Sequence, residues 1–307
     1  MRADVVLIAG PTAGGKSAVA LALAKQLNGA LINADSMQVY GDVRILTARP
    51  DDSASSVAPH YLYGHVSAHE PYSAARYQTD AVRASNTVRA AGQMPLFVGG
   101  TGLYFGALTD GLAEIPPVPE TIRAAMKARR MEIGAEAFFL EFGSLDPETA
   151  ARLRPSDTQR VLRAREVFEA TGLPLSTWQR TRGAVPLAGM KLARFVLSPP
   201  RAELHRRIDA RFEQMVLAGA VEEASRLKNI DPALPASKLL GLRELQQVLD
   251  GKLTLEAAKS AAKTATRQYA KRQLTWFRHR MTDWTWIEAL DLGEIAERIL
   301  RELRAME

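Results

Sequence analysis

The chain has 307 residues, a formal net charge of +6, 47% hydrophobic and 24% charged residues, and no cysteine. That length suits one large domain or two modest ones with an ample core, and zero cysteines exclude disulfides, thiolate catalysis and Cys-based zinc sites. The mild positive charge admits a polyanionic partner without requiring one, and no apolar run approaches membrane-spanning length, so no membrane partner and a cytoplasmic location are expected.

Asp4–Ala9 reads as a buried strand, too short and too quickly interrupted for a signal peptide, and it runs into a Gly-rich turn. Lys16–Leu27 has apolar residues at helical spacing, Ala30–Ala34 is a second short strand, Ser73–Ala91 a helix, and Leu96–Val98 a third strand entering Gly99-Gly100-Thr101-Gly102. Strands alternating with helices predict a doubly wound parallel α/β sheet. The pattern changes at Ile115-Pro116-Pro117-Val118-Pro119. Beyond it Glu120–Phe142, Pro147–Leu153 and Ser156–Thr171 are helical in period, with Ser156 and Asp157 as N-cap and Gly172 as C-cap. Leu192–Leu197 is another strand. Helices follow at Arg201–Leu217, Ala220–Leu227, Lys238–Leu249, Thr254–Trp276 and Leu292–Met306. The expected organisation is an α/β core with C-terminal helices (1–114 and 189–307), interrupted by a helical insertion (115–188).

Gly10-Pro11-Thr12-Ala13-Gly14-Gly15-Lys16-Ser17 fits the phosphate-loop pattern G-x-x-x-x-G-K-[ST], between a strand and a helix as that motif requires. Its N–H groups and the following helix start hold phosphate oxygens, Lys16 adds a positive charge, and the Ser17 hydroxyl is suited to a Mg²⁺ bridging the phosphates. Asp35 ends the second strand, on the side where open α/β sheets bind ligands. It is a general base, a helix N-cap or a carboxylate that holds a ligand of Mg²⁺ from outside; position alone does not choose. Thr101, in the turn after the third strand, can donate to the leaving oxygen of a diphosphate or simply end a strand. That strand ends without the acidic residue that many P-loop NTPases use to hold Mg²⁺. Either Asp35 substitutes, or the loop holds a diphosphate leaving group and not an ATP to be hydrolysed.

Between Lys259 and Arg280 there are seven Lys or Arg and no Asp or Glu, with Tyr269, Trp276 and Phe277 interleaved. Lys259, Lys263, Arg267 and Lys271 recur every four residues and share one helix face. An unbalanced stripe of this kind suggests an external anion, and aromatics among phosphate-binding cations suit RNA. The five histidines show no metal-ligand spacing. A small-molecule kinase would share the phosphate loop but leave the stripe unexplained.

The ordered set Gly10–Ser17, Asp35-Ser36-Met37-Gln38-Val39-Tyr40, Thr47-Ala48-Arg49-Pro50, Glu70-Pro71-Tyr72-Ser73-Ala74, Gly99-Gly100-Thr101-Gly102-Leu103-Tyr104 and Lys271-Arg272-Gln273-Leu274-Thr275-Trp276-Phe277-Arg278 resembles the bacterial tRNA dimethylallyltransferases over nearly the whole chain. The resemblance implies a P-loop NTPase-like fold and transfer of a five-carbon group from dimethylallyl diphosphate to N6 of the adenosine 3′ of the tRNA anticodon. It further implies Mg²⁺ and diphosphate on Gly10–Ser17, with Arg211 also touching diphosphate. Asp35 would be the general base on the adenine amine and Thr101 the donor to the bridging oxygen. Asp35, Ser36, Met37 and Gln38 would border the target base. Arg123 and Gln159, Arg160, Val161, Leu162 and Arg163 of the insertion, with Lys271–Arg278, would contact the tRNA anticodon stem-loop. A monomer is expected. Leu46 stands where the family usually has Gly, Arg49 where it has Lys, and Leu242 where it has Tyr.

Overall fold

A computed structural model describes residues 3–288 and 291–306. Residues 1 and 2 of the expected 1–114 segment, and residues 289, 290 and 307 of the expected 189–307 segment, lie outside the described residues. In chain order the elements are β1 (Val5–Ala9), α1 (Lys16–Leu27), β2 (Gly29–Asn33), α2 (Asp52–Val57), β3 (His60–Tyr61), α3 (Ala74–Ala90), β4 (Met94–Gly99) and α4 (Gly102–Thr109). Then come α5 (Glu120–Leu145), α6 (Pro147–Ala150), α7 (Thr158–Thr171), α8 (Leu175–Arg180), β5 (Leu192–Leu197), α9 (Arg201–Leu217) and α10 (Ala220–Arg226). A 3₁₀ turn at Pro235–Lys238 leads to α11 (Leu242–Leu249), α12 (Leu255–Arg280), β6 (Thr285–Ile287) and α13 (Leu292–Ala305).

The six strands form one parallel sheet in the order β3-β2-β4-β1-β5-β6. Alternate residues of β1 enter two different cores: Val5, Leu7 and Ala9 join one apolar cluster, Val6 and Ile8 the other. Both faces are therefore covered, as a parallel sheet requires, which is why these strands read as unbroken apolar runs. β1 lies at the centre with β4 on one side and β5 on the other, so the loop after β1 opens beside the end of β4. This is the P-loop NTPase-like α/β fold.

Two compact units divide the chain: residues up to Leu108 together with those from Leu187 on, and Thr109–Pro186. The second unit is all helix and has its own core, in which Phe138, Phe142, Val161 and Val167 are fully buried. Its start precedes the expected position 115 because the incoming and outgoing chains run side by side, with Gly183 N donating to Leu112 O.

Several local expectations change. The Lys238–Leu249 helix is broken: the 3₁₀ turn ends at Lys238, and Gly241, at φ 84°, caps the start of α11. α5 bends at Gly134, where φ is 83°. Asp157 sits at the start of α7, but its carboxylate accepts from Arg154 N and caps no helical N–H; Gly172 does close the helix, in the left-handed conformation. The elements that sequence patterning does not reveal, α2, β3, α4, α8 and β6, are short.

Candidate active site

The loop after β1 carries no side-chain cap at the start of α1. Gly15 holds the cap position at φ 87° and Ala13 also has positive φ, at 59°. The first N–H groups of α1 are thereby left to an incoming anion. Lys16 reaches back to donate from Nζ to Pro11 O at 2.6 Å. Thr12 is held from two directions: its backbone N donates to Gln273 Oε1 on α12 at 2.9 Å, and its hydroxyl accepts from Arg211 Nη2 on α9 at 2.7 Å.

The turns that carry Asp35 and Thr101 meet across the ends of β2 and β4. These two ends can touch because Gly99 has no side chain: a Cβ there would fall 2.0 Å from the Ala34 carbonyl. Thr101 N donates to Ala34 O, and Thr101 Oγ1 accepts from Ser36 N at 2.9 Å and lies 3.2 Å from Ser36 Oγ. The Asp35 carboxylate accepts from Met37 N at 3.0 Å, while buried Asn33 accepts from Asp35 N and donates to the carbonyls of Asp35 and Leu62. Of the roles open to Asp35, a helix N-cap is not what the structure contains, since no helix begins there. Its carboxylate lines a cleft of about 340 Å³ with Thr12–Ala18, Gln38, Thr47, Ala48, Arg207 and Arg211.

Charge in this cleft is unevenly distributed. Burial lowers the Lys16 ammonium to about 8, opposed by the nearby Asp35 carboxylate and reinforced by Arg211. Burial likewise lowers Arg211, and Asp35 raises it. Three cations, Lys16, Arg207 and Arg211, thus gather at the loop with the Asp35 carboxylate on the same cleft, which suits a small, highly charged anion. The tyrosines Tyr63, Tyr104 and Tyr269 are pushed upward, chiefly by burial and also by Asp35, so they stay neutral.

A family profile described as IPP transferase matches residues 38–280, and one described as isopentenyl transferase matches residues 3–65. The chain is 50% identical over 290 residues to a tRNA dimethylallyltransferase of Methylobacterium nodulans, covering 94% of this chain and 96% of that one. It is also 50% identical over 296 residues to one of Rhodospirillum centenum, covering 96% and 93%. This chain belongs to the IPP transferase family. Among solved structures it resembles the tRNA isopentenylpyrophosphate transferase of Bacillus halodurans, at 33% identity and a TM-score of 0.69, covering 99% of this chain and 98% of that one. A eukaryotic dimethylallyltransferase acting on tRNA matches with a TM-score of 0.79 at 27% identity, covering 94% of this chain and 74% of that one.

The residues that the IPP transferase resemblance assigns to RNA fall into different environments. Lys271, Arg272, Thr275 and Arg278 on α12 are exposed, as are Arg123, Gln159 and Arg160 of the insertion. Leu274, Trp276, Leu162 and Arg163 are half-buried; the Trp276 ring lies over Gly102, where a Cβ would come within 2.2 Å of it. Phe277, Gln273 and Val161 are buried, so their side chains face protein. Ser36, Met37 and Gln38 follow Asp35; Gln38 donates to the carbonyls of Thr47 and Ala48 and so holds the far wall of the cleft.

The unbalanced stripe on α12 needs correction. Lys259 pairs with Glu213 and Glu256, Lys263 with Glu213, and Arg267 with Asp209 at 2.7 Å. Asp209 and Glu213 lie on α9, which packs against α12, so a charge count along α12 alone misses them. Among the described residues, the α12 cations with no ion pair are those at its C-terminal end, Lys271, Arg272, Arg278 and Arg280.

Two residues that no sequence motif marks shape the site. Glu223 on α10 is buried and accepts from three successive backbone N–H groups, Arg44, Ile45 and Leu46, at 2.7, 2.9 and 2.8 Å. It fixes the loop that brings Thr47 and Ala48 to the cleft. Arg207, one helical turn before Arg211, lines the same cleft and pairs with Glu203. Only the fold brings these two near the loop.

Proposed function

We propose that this chain transfers the dimethylallyl group of dimethylallyl diphosphate to N6 of the adenosine 3′ of a tRNA anticodon. The observation that carries the reading is the cleft itself, a phosphate loop with three cations and Asp35 facing it; the Thr101 hydroxyl accepts from Ser36 N, the residue after Asp35. The end of β4 holds Gly-Gly-Thr and no hydrolytic acid, which favours a diphosphate leaving group over an ATP to be cleaved.

In the reaction, the C1–O bond of the donor breaks as the N6–C1 bond forms, and one proton leaves N6. The adenine amine is a poor nucleophile because its lone pair is delocalised, so the Asp35 carboxylate takes that proton as attack proceeds. Thr101 turns its hydroxyl from Ser36 toward the bridging oxygen. Lys16, Arg211 and the N–H groups opening α1 stabilise the charge that builds on diphosphate. The adenine must leave its stack to reach Asp35, which costs a few kcal/mol. Exposed cations of α12 and of the insertion hold the anticodon stem-loop while it does so.

The donor set fits Mg²⁺. Ser17 lies exposed on the cleft wall, and among the described residues no cluster of three or more His, Asp or Glu forms a cage. A Mg²⁺ held by the Ser17 hydroxyl would take its other ligands from diphosphate and water, and would neutralise part of the diphosphate charge. Among the described residues no helix is long and apolar enough to cross a membrane.

The test is purified protein with Mg²⁺, labelled dimethylallyl diphosphate and unmodified tRNA, beside AMP and ATP controls. Label is expected on tRNA alone. Label on AMP would make this a free-nucleotide prenyltransferase, and phosphate transfer from ATP would make it a kinase.

A further inference from the structure

Gln273 sits in the middle of the α12 segment that the resemblance gives to RNA, yet its side chain points away from solvent, with 6% of the residue exposed. Its carboxamide bonds at both ends. Oε1 accepts from Thr12 N at the tip of the phosphate loop, and Nε2 donates to Gly100 O in the turn that carries Thr101, each at 2.9 Å. One side chain thus joins the two halves of the cleft, 261 and 173 residues away in sequence.

The turn is shaped to admit it. A Cβ on Gly100 would come within 2.2 Å of Gln273 Nε2 and 3.4 Å of Asp35 Oδ2. The amide therefore occupies the space that any other residue at position 100 would fill, right beside the carboxylate. Buried amides of this kind are costly to leave unpaired, so the two bonds specify the spacing of loop and turn.

We propose that Gln273 is a positioning residue for the diphosphate substrate and not an RNA contact: its carboxamide sets the distance between the phosphate loop and the Thr101 turn. The inference rests on the prenyl-transfer reading. In that reaction the donor spans the gap that Gln273 bridges, with its diphosphate on the loop and its breaking C–O bond between Thr101 and Asp35. Misplacing the reacting groups by about 1 Å is enough to lower the rate about 10²-fold. α12 then serves both substrates, Lys271 and Arg272 on its outer face and Gln273 on its inner face.

Three variants test this. Gln273→Met keeps the side-chain volume and removes both hydrogen bonds. Gly100→Ala leaves Gln273 in the chain but puts a Cβ where its amide end sits and so displaces that amide from the turn; it carries the test if Gln273→Met folds poorly. Lys271→Ala alters the outer face of the same helix. Steady-state kinetics with dimethylallyl diphosphate varied would be read beside filter binding of tRNA and calorimetric binding of inorganic diphosphate. Gln273→Met and Gly100→Ala are each expected to lower kcat/KM for dimethylallyl diphosphate about 10- to 100-fold, with a tRNA Kd like that of the unaltered protein. The double variant is expected to be no worse than the single ones, because both remove the same link. Lys271→Ala is expected to show the reverse, weaker tRNA binding at unchanged diphosphate affinity.

Loss of tRNA affinity in Gln273→Met at unchanged diphosphate parameters would overturn the proposal and return Gln273 to the RNA surface. Unchanged kinetics and binding in both variants would remove Gln273 from any role. If the unaltered protein transfers no prenyl group, the functional reading fails, and the binding of inorganic diphosphate by the same variants still decides whether the amide shapes the loop.

Discussion

In the proposed reaction Asp35 and Lys16 divide the chemistry of the cleft, Asp35 taking the proton and Lys16 holding charge. Asp35→Ala is expected to lower single-turnover prenyl transfer by at least about 10²-fold, the usual scale for loss of a general base, with tRNA still bound. A rate close to that of the unaltered protein would take Asp35 out of the proton transfer. Lys16 gives a pH dependence. Burial holds its ammonium to about 8 in the free cleft, and a bound diphosphate favours the charged form. Below that pH the proton is already present; above it, binding must take one up. Diphosphate affinity should therefore be full below about pH 8 and fall as pH rises through it, with proton uptake visible in calorimetry at roughly pH 9 in buffers of different ionisation heat. Equal affinity on both sides of that pH would contradict the assignment. The motif residues at this scale were legible because the loop pattern is local and its glycines have a backbone reason. The hydrogen bond between Thr101 and Ser36 was not, since it depends on how β2 and β4 end side by side.

At the scale of elements, α12 shows how a helix read by itself misleads. Its four-residue spacing of cations is real, but the partners of Lys263 and Arg267 lie 50 and 58 residues earlier, on α9. Neutralising Lys263 and Arg267 should leave the salt dependence of tRNA binding unchanged. Neutralising Lys271 and Arg272 should flatten its slope by about one unit for each phosphate left without its cation. The opposite ranking in a salt titration would restore the stripe as the RNA surface. The Glu223 anchor makes a second prediction for an element. Removing its carboxylate strands three backbone N–H groups of the Arg44–Leu46 turn. Glu223→Ala should therefore cost about 2–4 kcal/mol in a denaturant melt, whereas Glu222→Ala on the same helix should cost little. Equal melts would mean the loop holds itself. No pattern in the sequence marks Glu223, because an isolated Glu on a helix is ordinarily solvated.

Over the whole molecule, strand type and helical insertion were visible in the sequence, from apolar runs alternating with helical periods and from the Pro-rich break near Ile115. Strand order was not, since nothing local in β4 or β5 says that each will flank β1. That order puts the turn after β4, with Gly99 and Gly100, beside the phosphate loop at the cleft. The departures at Leu46 and Leu242 also make sense only at this scale: both are buried in the larger apolar core that includes Phe212, so they are packing positions in this chain.

The most direct test of the account is mass analysis of the nucleosides of a tRNA incubated with the protein, Mg²⁺ and dimethylallyl diphosphate. Two substrates would be compared, one with adenosine and one with guanosine immediately 3′ of the anticodon. One five-carbon addition per tRNA is expected, on N6 of that adenosine, and none on the guanosine variant. A five-carbon addition elsewhere, or equal addition to both tRNAs, would contradict it.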